Sequence, residues 1–204
     1  MSTAGRYVHK LNETAFDSLL RNRYGDSSAS VRAYKYLCEN MNKDHGFVRK
    51  FSGEDYYVHP QAVAEILIEL IDADDECVSV ALLHDCIEDM AGDVEGVMRD
   101  MFGDSITDKV LLVTKKKDVD YRIHEELSDY LMGTLAVEDS VLVKIADRMN
   151  NNSTLSGASE EKRARKTEET LKYFIPLALG AAEKYPHNSS FYMDAAEFFG
   201  KMID

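Results

Sequence analysis

Proline is scarce in this chain of 204 residues: there are three, with eleven glycines. No Pro/Gly/Ser-rich linker, internal repeat or low-complexity stretch divides it, so one domain over residues 1–204 is expected. Cysteine is scarcer than a disulfide framework needs. Cys38, Cys77 and Cys86 are odd in number and have no CxxC spacing, which argues against both a disulfide scaffold and a cysteine zinc site, and for buried thiols. No apolar run approaches the roughly 18–20 residues that cross a bilayer. The N-terminus MSTAGRYVHKLNETAFDSLL has no secretory h-region, so a cytoplasmic protein is expected. Positive charge is in deficit: 24 Lys and Arg against 37 Asp and Glu give a formal charge of −13. Such a surface repels a nucleic-acid backbone. It does not exclude a small phosphorylated ligand, because solvent screens charges beyond about 10 Å and a local basic pocket with a metal can dominate.

Alternating apolar patterns are nearly absent and helical periodicity dominates, which predicts an all-α domain of nine or ten helices. Helices are expected over about 11–22, from the caps at Ser27–Ser30 to about Met41, from Pro60 through Leu70, and from Asp74–Asp75 to Ile87. Further helices are expected over Val94–Met101, Ile106–Thr114 after a stop at Gly103-Asp104, Tyr121–Leu135 and Val141–Met149. The last two span about Glu160–Lys184, with a kink at Pro176, and Ser190–Met202. Asn42–Tyr57, broken by Gly46 and Gly53, and Asn150–Ser159 read as loops.

The chemistry concentrates in three places. In ALLHDCIEDM, His84 and Asp85 lie within an apolar helical pattern, where ionisable groups are costly unless paired or bound to metal. Glu88 and Asp89 follow four residues after each, on the same helix face. His59 sits at a helix start in YYVHPQAV, and Asp147 ends the apolar run VLVKIADRM. Alone, each has a structural explanation. Together, two imidazoles and two carboxylates make a mixed N/O set that suits manganese or ferrous iron better than closed tetrahedral zinc. Such a site can polarise a phosphoryl group and activate water, which Glu88 or Asp89 could hold or deprotonate. His9, His45, His124 and His187 are read as surface or packing residues.

The order His…His-Asp…Asp resembles the HD superfamily of metal-dependent phosphohydrolases, and more closely the alarmone hydrolase domains of the RelA/SpoT type, including the small stand-alone hydrolases. Five blocks carry the likeness from about His45 to Ala178: SGEDYYVHPQAVAEIL, ALLHDCIEDM, MFGDSITDKVLLVTK, VLVKIADRMNNNSTL and EETLKYFIPLALGAA. The resemblance implies a Mn²⁺ held by His59, His84, Asp85 and Asp147, with water activated by Glu88 and Asp89. It implies nucleotide contacts from Ser52, Tyr56, Asn151, Thr154 and Lys162, and Arg49 and Lys50 are expected to hold the nucleotide with them. It implies hydrolysis of the 3′-pyrophosphate of guanosine tetra- or pentaphosphate. At 204 residues the chain is expected to be hydrolase-only, with a small nucleotide as its partner and no nucleic acid or membrane.

The departures concern the base. Where the family has an Arg-Lys pair before Ser-Gly, this chain has Lys50 and Phe51, with Arg49 one place earlier. A lysine cannot stack as a planar guanidinium does, which leaves Phe51 or Arg49 to take over. Asp55 replaces a Pro, Met149-Asn150 a Leu-His, and Met90 a Thr. Another nucleotide, such as an adenine-type alarmone, a 5′-monophosphate or a cyclic phosphodiester, therefore stays open as substrate. A non-enzymatic nucleotide sensor also stays open, although all six metal and water residues are present.

Overall fold

The computed structural model describes residues 7–50 and 52–201. Eleven α-helices run α1 (Glu13–Tyr24), α2 (Ala29–Asn40), α3 (Val58–Ile71), α4 (Asp75–Leu83), α5 (Cys86–Asp89), α6 (Val94–Val113), α7 (His124–Thr134), α8 (Glu138–Ser153), α9 (Glu160–Glu169), α10 (Ile175–Lys184) and α11 (Ser189–Gly200). The only extended pairing among the described residues is an antiparallel bridge between Val48 and Asp55. The fold is all-α, and none of these helices is long and apolar enough to cross a membrane.

α3 and α8 form the middle of the bundle. α3 is apolar nearly all round and is buried without a break from His59 to Leu67. α8 is buried from Ser140 to Asn150. A helix hydrophobic on every face has to be surrounded, and α4, α6, α10 and α11 pack about this pair. The segment before α1 straps the two together. The Lys10 and Leu11 N–H groups donate to the buried Glu65 of α3 at 2.6 and 3.3 Å, while the Tyr7 N–H donates to Ser153 of α8 at 3.2 Å. α2 is fixed by charge at its start. Its first N–H groups, at Ala29 and Ser30, both donate to Asp75 of α4 at 2.9 Å. Cys77 and Cys86 are buried free thiols and Cys38 is half-buried.

Four expectations shift. The helix expected to continue from Asp75 to Ile87 ends at Leu83, and His84-Asp85 form a turn before α5. His84 Nδ1 lies 2.8 Å from the Ala81 carbonyl, the acceptor an uninterrupted helix would offer to the Asp85 N–H. Asn150–Ser153, expected as loop, are the last turn of α8. Their side chains are polar because they face a cleft, not because the backbone leaves the helix. The segment 160–184 is continuous but changes winding, with a π turn at Thr170–Phe174 closed by the Ile175 N–H to the Thr170 carbonyl. Pro176 sits in the first turn of α10, where no N–H partner is needed. At Gly103 the expected stop is a kink inside α6 (φ 83°, ψ 171°).

Candidate active site

His59 enters from the first turn of α3, His84 and Asp85 from the turn after α4, and Asp147 from the middle of α8. His59 Nε2 lies 3.6 Å from Asp85 Oδ2 and 3.2 Å from Asp147 Oδ1. His84 Nε2 lies 3.2 and 3.9 Å from the same two oxygens. The rings meet edge-on with centroids 5.2 Å apart.

The other side of each ring decides its proton. His84 Nδ1 faces the Ala81 carbonyl at 2.8 Å. His59 Nδ1 faces Asn150 Oδ1 at 2.7 Å. Both partners accept only, so both rings donate from Nδ1 and turn an Nε2 lone pair inward. His84 Nε2 is buried with no hydrogen-bond partner. Each inward nitrogen lies within 4 Å of an oxygen of both carboxylates, and such lone pairs and charges repel unless a cation lies between them. A proton can take the place of that cation: burial opposes charge on His84, yet Asp85 and then Asp147 outweigh it and push its pKa up to about 9. Against the burial that would raise them, His84 and then His59 hold the Asp85 carboxyl, and Lys144 and then the two histidines hold the Asp147 carboxyl, well below their ordinary range. This donor set fits a divalent metal ion.

Around this centre, the Tyr56 hydroxyl donates to Asp85 Oδ2 at 2.7 Å, and Asn151, one turn along α8, donates to Asp147 Oδ1. Lys144 Nζ lies 3.4 Å from Asp147 Oδ2 and 5.4 Å from the Tyr130 ring centroid. Glu88 Oε2 accepts the Lys115 N–H at 3.0 Å. Asp89 ends α5 at the exposed edge. Partial burial of its carboxyl, then the Asp85 charge, push its pKa up.

The profile of the HD domain family matches residues 37–180, more than half of the chain. The chain belongs to the HD domain family. Among curated relatives, an Aquifex aeolicus protein named guanosine-3′,5′-bis(diphosphate) 3′-pyrophosphohydrolase is 35% identical over 150 residues, covering 72% of this chain and 20% of its own length. A Haemophilus influenzae protein of the same name is 39% identical over 132 residues, covering 62% and 19%. A Brucella ovis protein named GTP pyrophosphokinase rsh is 36% identical over 154 residues, covering 72% and 20%. The chain thus spans about a fifth of the length of these relatives. A solved structure of a metazoan ortholog of SpoT is similar in fold, with a TM-score of 0.62, 19% identity, and coverage of 86% of this chain and 94% of that one.

In this HD domain a cleft of about 670 Å³ opens beside the His-Asp centre, with His59 and Asp147 in its wall. All seven residues expected to hold a nucleotide line it: Arg49, Lys50, Ser52, Tyr56, Asn151, Thr154 and Lys162. Glu88 and Asp89, like His84 and Asp85, do not line it. The loop bearing Arg49, Lys50 and Ser52 is closed by the Arg49 N–H to the Glu54 carbonyl and the Gly53 N–H to the Arg49 carbonyl, each 2.9 Å. Gly53 takes the left-handed conformation that this turn demands, at φ 70°. Arg49 crosses the cleft mouth, with its guanidinium 5.9 Å from the Tyr56 ring centroid and Nη2 3.3 Å from Thr154 Oγ1. Phe51 lies outside the described residues.

Four cations of the wall escaped the sequence analysis: Lys115, Lys144, Arg148 and Lys166. His9, read as a surface or packing residue, also lines the cleft, 3.8 Å from Glu54. Arg148 stacks on Phe174, 4.0 Å from the ring centroid, and shares Glu169 with Lys166, which lies at 2.8 Å. Burial, then the charge of Lys144, lower the Lys115 pKa. Burial, then Arg148, lower that of Lys166. Seven cations and two carboxylates, Glu54 and Asp147, line the cleft of a chain whose formal charge is −13. The sequence signal for the missed four was weak. Lysine and arginine are ordinary surface residues, and these come from three separate elements.

Proposed function

We propose that this HD domain hydrolyses the 3′-pyrophosphate of guanosine 3′,5′-bis(diphosphate) or the corresponding pentaphosphate, giving GDP or GTP and pyrophosphate, with Mn²⁺ as its metal. One observation carries the proposal: two inward lone pairs and two carboxylates converge at the head of a cleft walled by cations. The names of the Aquifex and Haemophilus relatives, and the description of the metazoan SpoT ortholog as hydrolysing ppGpp, support the substrate class. The Brucella relative carries the name of the opposing pyrophosphokinase, so the names alone do not choose the direction.

His59, His84, Asp85 and Asp147 would hold the ion. A divalent metal there supplies a Lewis acid that polarises a phosphoryl oxygen and makes water acidic enough to attack at neutral pH. Glu88 and Asp89 act on the water, and the raised pKa of Asp89 suits it to receive a proton. The oxygen of water forms a bond to the phosphorus nearest the ribose, the bond to the ribose 3′-oxygen breaks, and that oxygen leaves with a proton. Arg49 and Lys50 at the mouth, with Ser52, Tyr56, Asn151, Thr154 and Lys162, hold base, ribose and phosphates. The single domain over 1–204 and a cytoplasmic location belong to the same proposal.

The test is incubation of the protein with guanosine tetraphosphate and Mn²⁺, measuring pyrophosphate release. Release is expected, with Asp85→Ala reducing it at least a thousandfold. Equal rates for wild type and Asp85→Ala would overturn the metal centre as the seat of chemistry. Because Lys50 and Phe51 replace the family's Arg-Lys pair, the assay includes an adenine-type alarmone, a 5′-monophosphate and a cyclic phosphodiester. Preference for one of these over guanosine tetraphosphate would overturn the guanosine assignment alone.

A further inference from the structure

Asn150 stands where the resembling sequences carry histidine, and its amide has little freedom. Its Nδ2 lies 2.6 Å from the Tyr7 carbonyl oxygen. A carbonyl only accepts, so the amide nitrogen must point there and Oδ1 must point the other way, to His59 Nδ1 at 2.7 Å. All three groups are out of reach of solvent: Asn150 is 2% exposed, His59 3% and Tyr7 9%. A flipped amide would set two acceptors against each other at Tyr7 and two donors at His59, each a buried loss on the order of 1–3 kcal/mol.

The Tyr7 carbonyl is itself held. The same residue donates its N–H to Ser153 Oγ at 3.2 Å, and its ring meets Phe198 of α11 edge-on with centroids 4.9 Å apart. One residue thus clasps α8 at two points a turn apart. From the nearer point, an oriented amide fixes the proton of a ring on α3.

We propose that Asn150 is a positioning residue: clamped by the Tyr7 backbone, it locks His59 as the Nδ1–H tautomer and so presents the Nε2 lone pair to the metal. Through it the segment before α1 governs metal affinity without touching the metal. His84 reaches the same tautomer through a purely local contact, the Ala81 carbonyl. The two histidines therefore depend on different parts of the chain. This rests on the metal-centre reading above, but not on the identity of the substrate.

The test measures binding of Mn²⁺ alone by calorimetry and the ring tautomers by long-range ¹H–¹⁵N spectra of metal-free protein, recorded where the rings are neutral. In wild type both histidines should show a protonated Nδ1. Asn150→Leu, which keeps bulk and removes both polar contacts, should weaken Mn²⁺ binding ten- to a hundredfold. It should also mix the His59 tautomers while leaving His84 unchanged. Ser153→Ala cuts the other point of the clasp and should alter Mn²⁺ affinity less than threefold. The wild-type spectrum needs no variant to fold, and a His59 protonated at Nε2 there would overturn the proposal. So would Asn150→Leu binding Mn²⁺ as tightly as wild type, or Ser153→Ala losing as much affinity as Asn150→Leu. Failure to cleave guanosine tetraphosphate, with normal Mn²⁺ affinity and tautomers, would count against the substrate and leave this assignment standing.

Discussion

Glu169 is the acid on which the cationic wall depends. Burial favours its neutral form, but Arg148 and then Lys166 prevail and lower its pKa to about 2. A carboxyl whose folded pKa is depressed contributes stability that is complete above its unfolded value and is lost as pH falls through the folded one. The contribution of Glu169 should therefore be intact above about pH 4.5 and disappear between there and about pH 2. Glu169→Gln should cost roughly 3 kcal/mol at neutral pH, because it leaves the buried Arg148 and the half-buried Lys166 without their partner. It should also remove this component of the acid transition. Urea titrations at pH 7, 4 and 3 measure both effects; a wild type–variant difference that does not shrink on acidification would rule this out. The four donors at the centre were legible in the sequence because histidine and aspartate are conspicuous inside apolar helix patterns. Glu169 was not, since a glutamate among Lys166, Thr167 and Glu168 looks like any solvated helix face until Arg148 arrives from α8.

Two elements place most of the residues proposed to hold the nucleotide, the loop before α3 and the end of α8, while Lys162 comes from α9. The loop depends on Gly53, where a side chain would strain a backbone at φ 70°. Gly53→Ala should cost about 1 kcal/mol or somewhat more. It should raise KM more than it lowers kcat, since Arg49 and Lys50 are displaced while the metal ligands are not. Steady-state kinetics distinguishes the outcomes, and a pure kcat loss would contradict it. The loop was legible from Ser52-Gly53; the end of α8 was not. Four consecutive polar residues, Asn150 to Ser153, look like the end of a helix, because sequence cannot separate polarity that faces water from polarity that faces a cleft. The break at His84 was equally hidden. No glycine or proline marks it, and the competing acceptor is the helix's own carbonyl at Ala81.

Across the whole molecule, charge is segregated: a chain with a formal charge of −13 gathers seven cations and two carboxylates in one cleft. Raising ionic strength from about 0.05 to 0.5 M should increase KM for a polyanionic nucleotide several-fold, with little change in kcat. Lys115→Gln, which removes one wall charge without touching the metal centre, should raise KM at low salt and flatten that dependence. Salt-independent KM would mean the wall does not meet the phosphates. Helical class and element order were legible from periodicity alone. This segregation was not, because composition averages over inside and outside and reports only the acidic total. The π turn at Thr170–Phe174 adds a constraint of another kind. It already accommodates one residue more than ordinary winding, so inserting a further position there would twist all of α9 by about 100° against α10. Lys162 and Lys166 would then turn away from the opening they help form, though neither had been mutated. For this stretch the number of residues is as much a determinant of ligand binding as their identity, and natural variants should tolerate substitutions there far better than length changes.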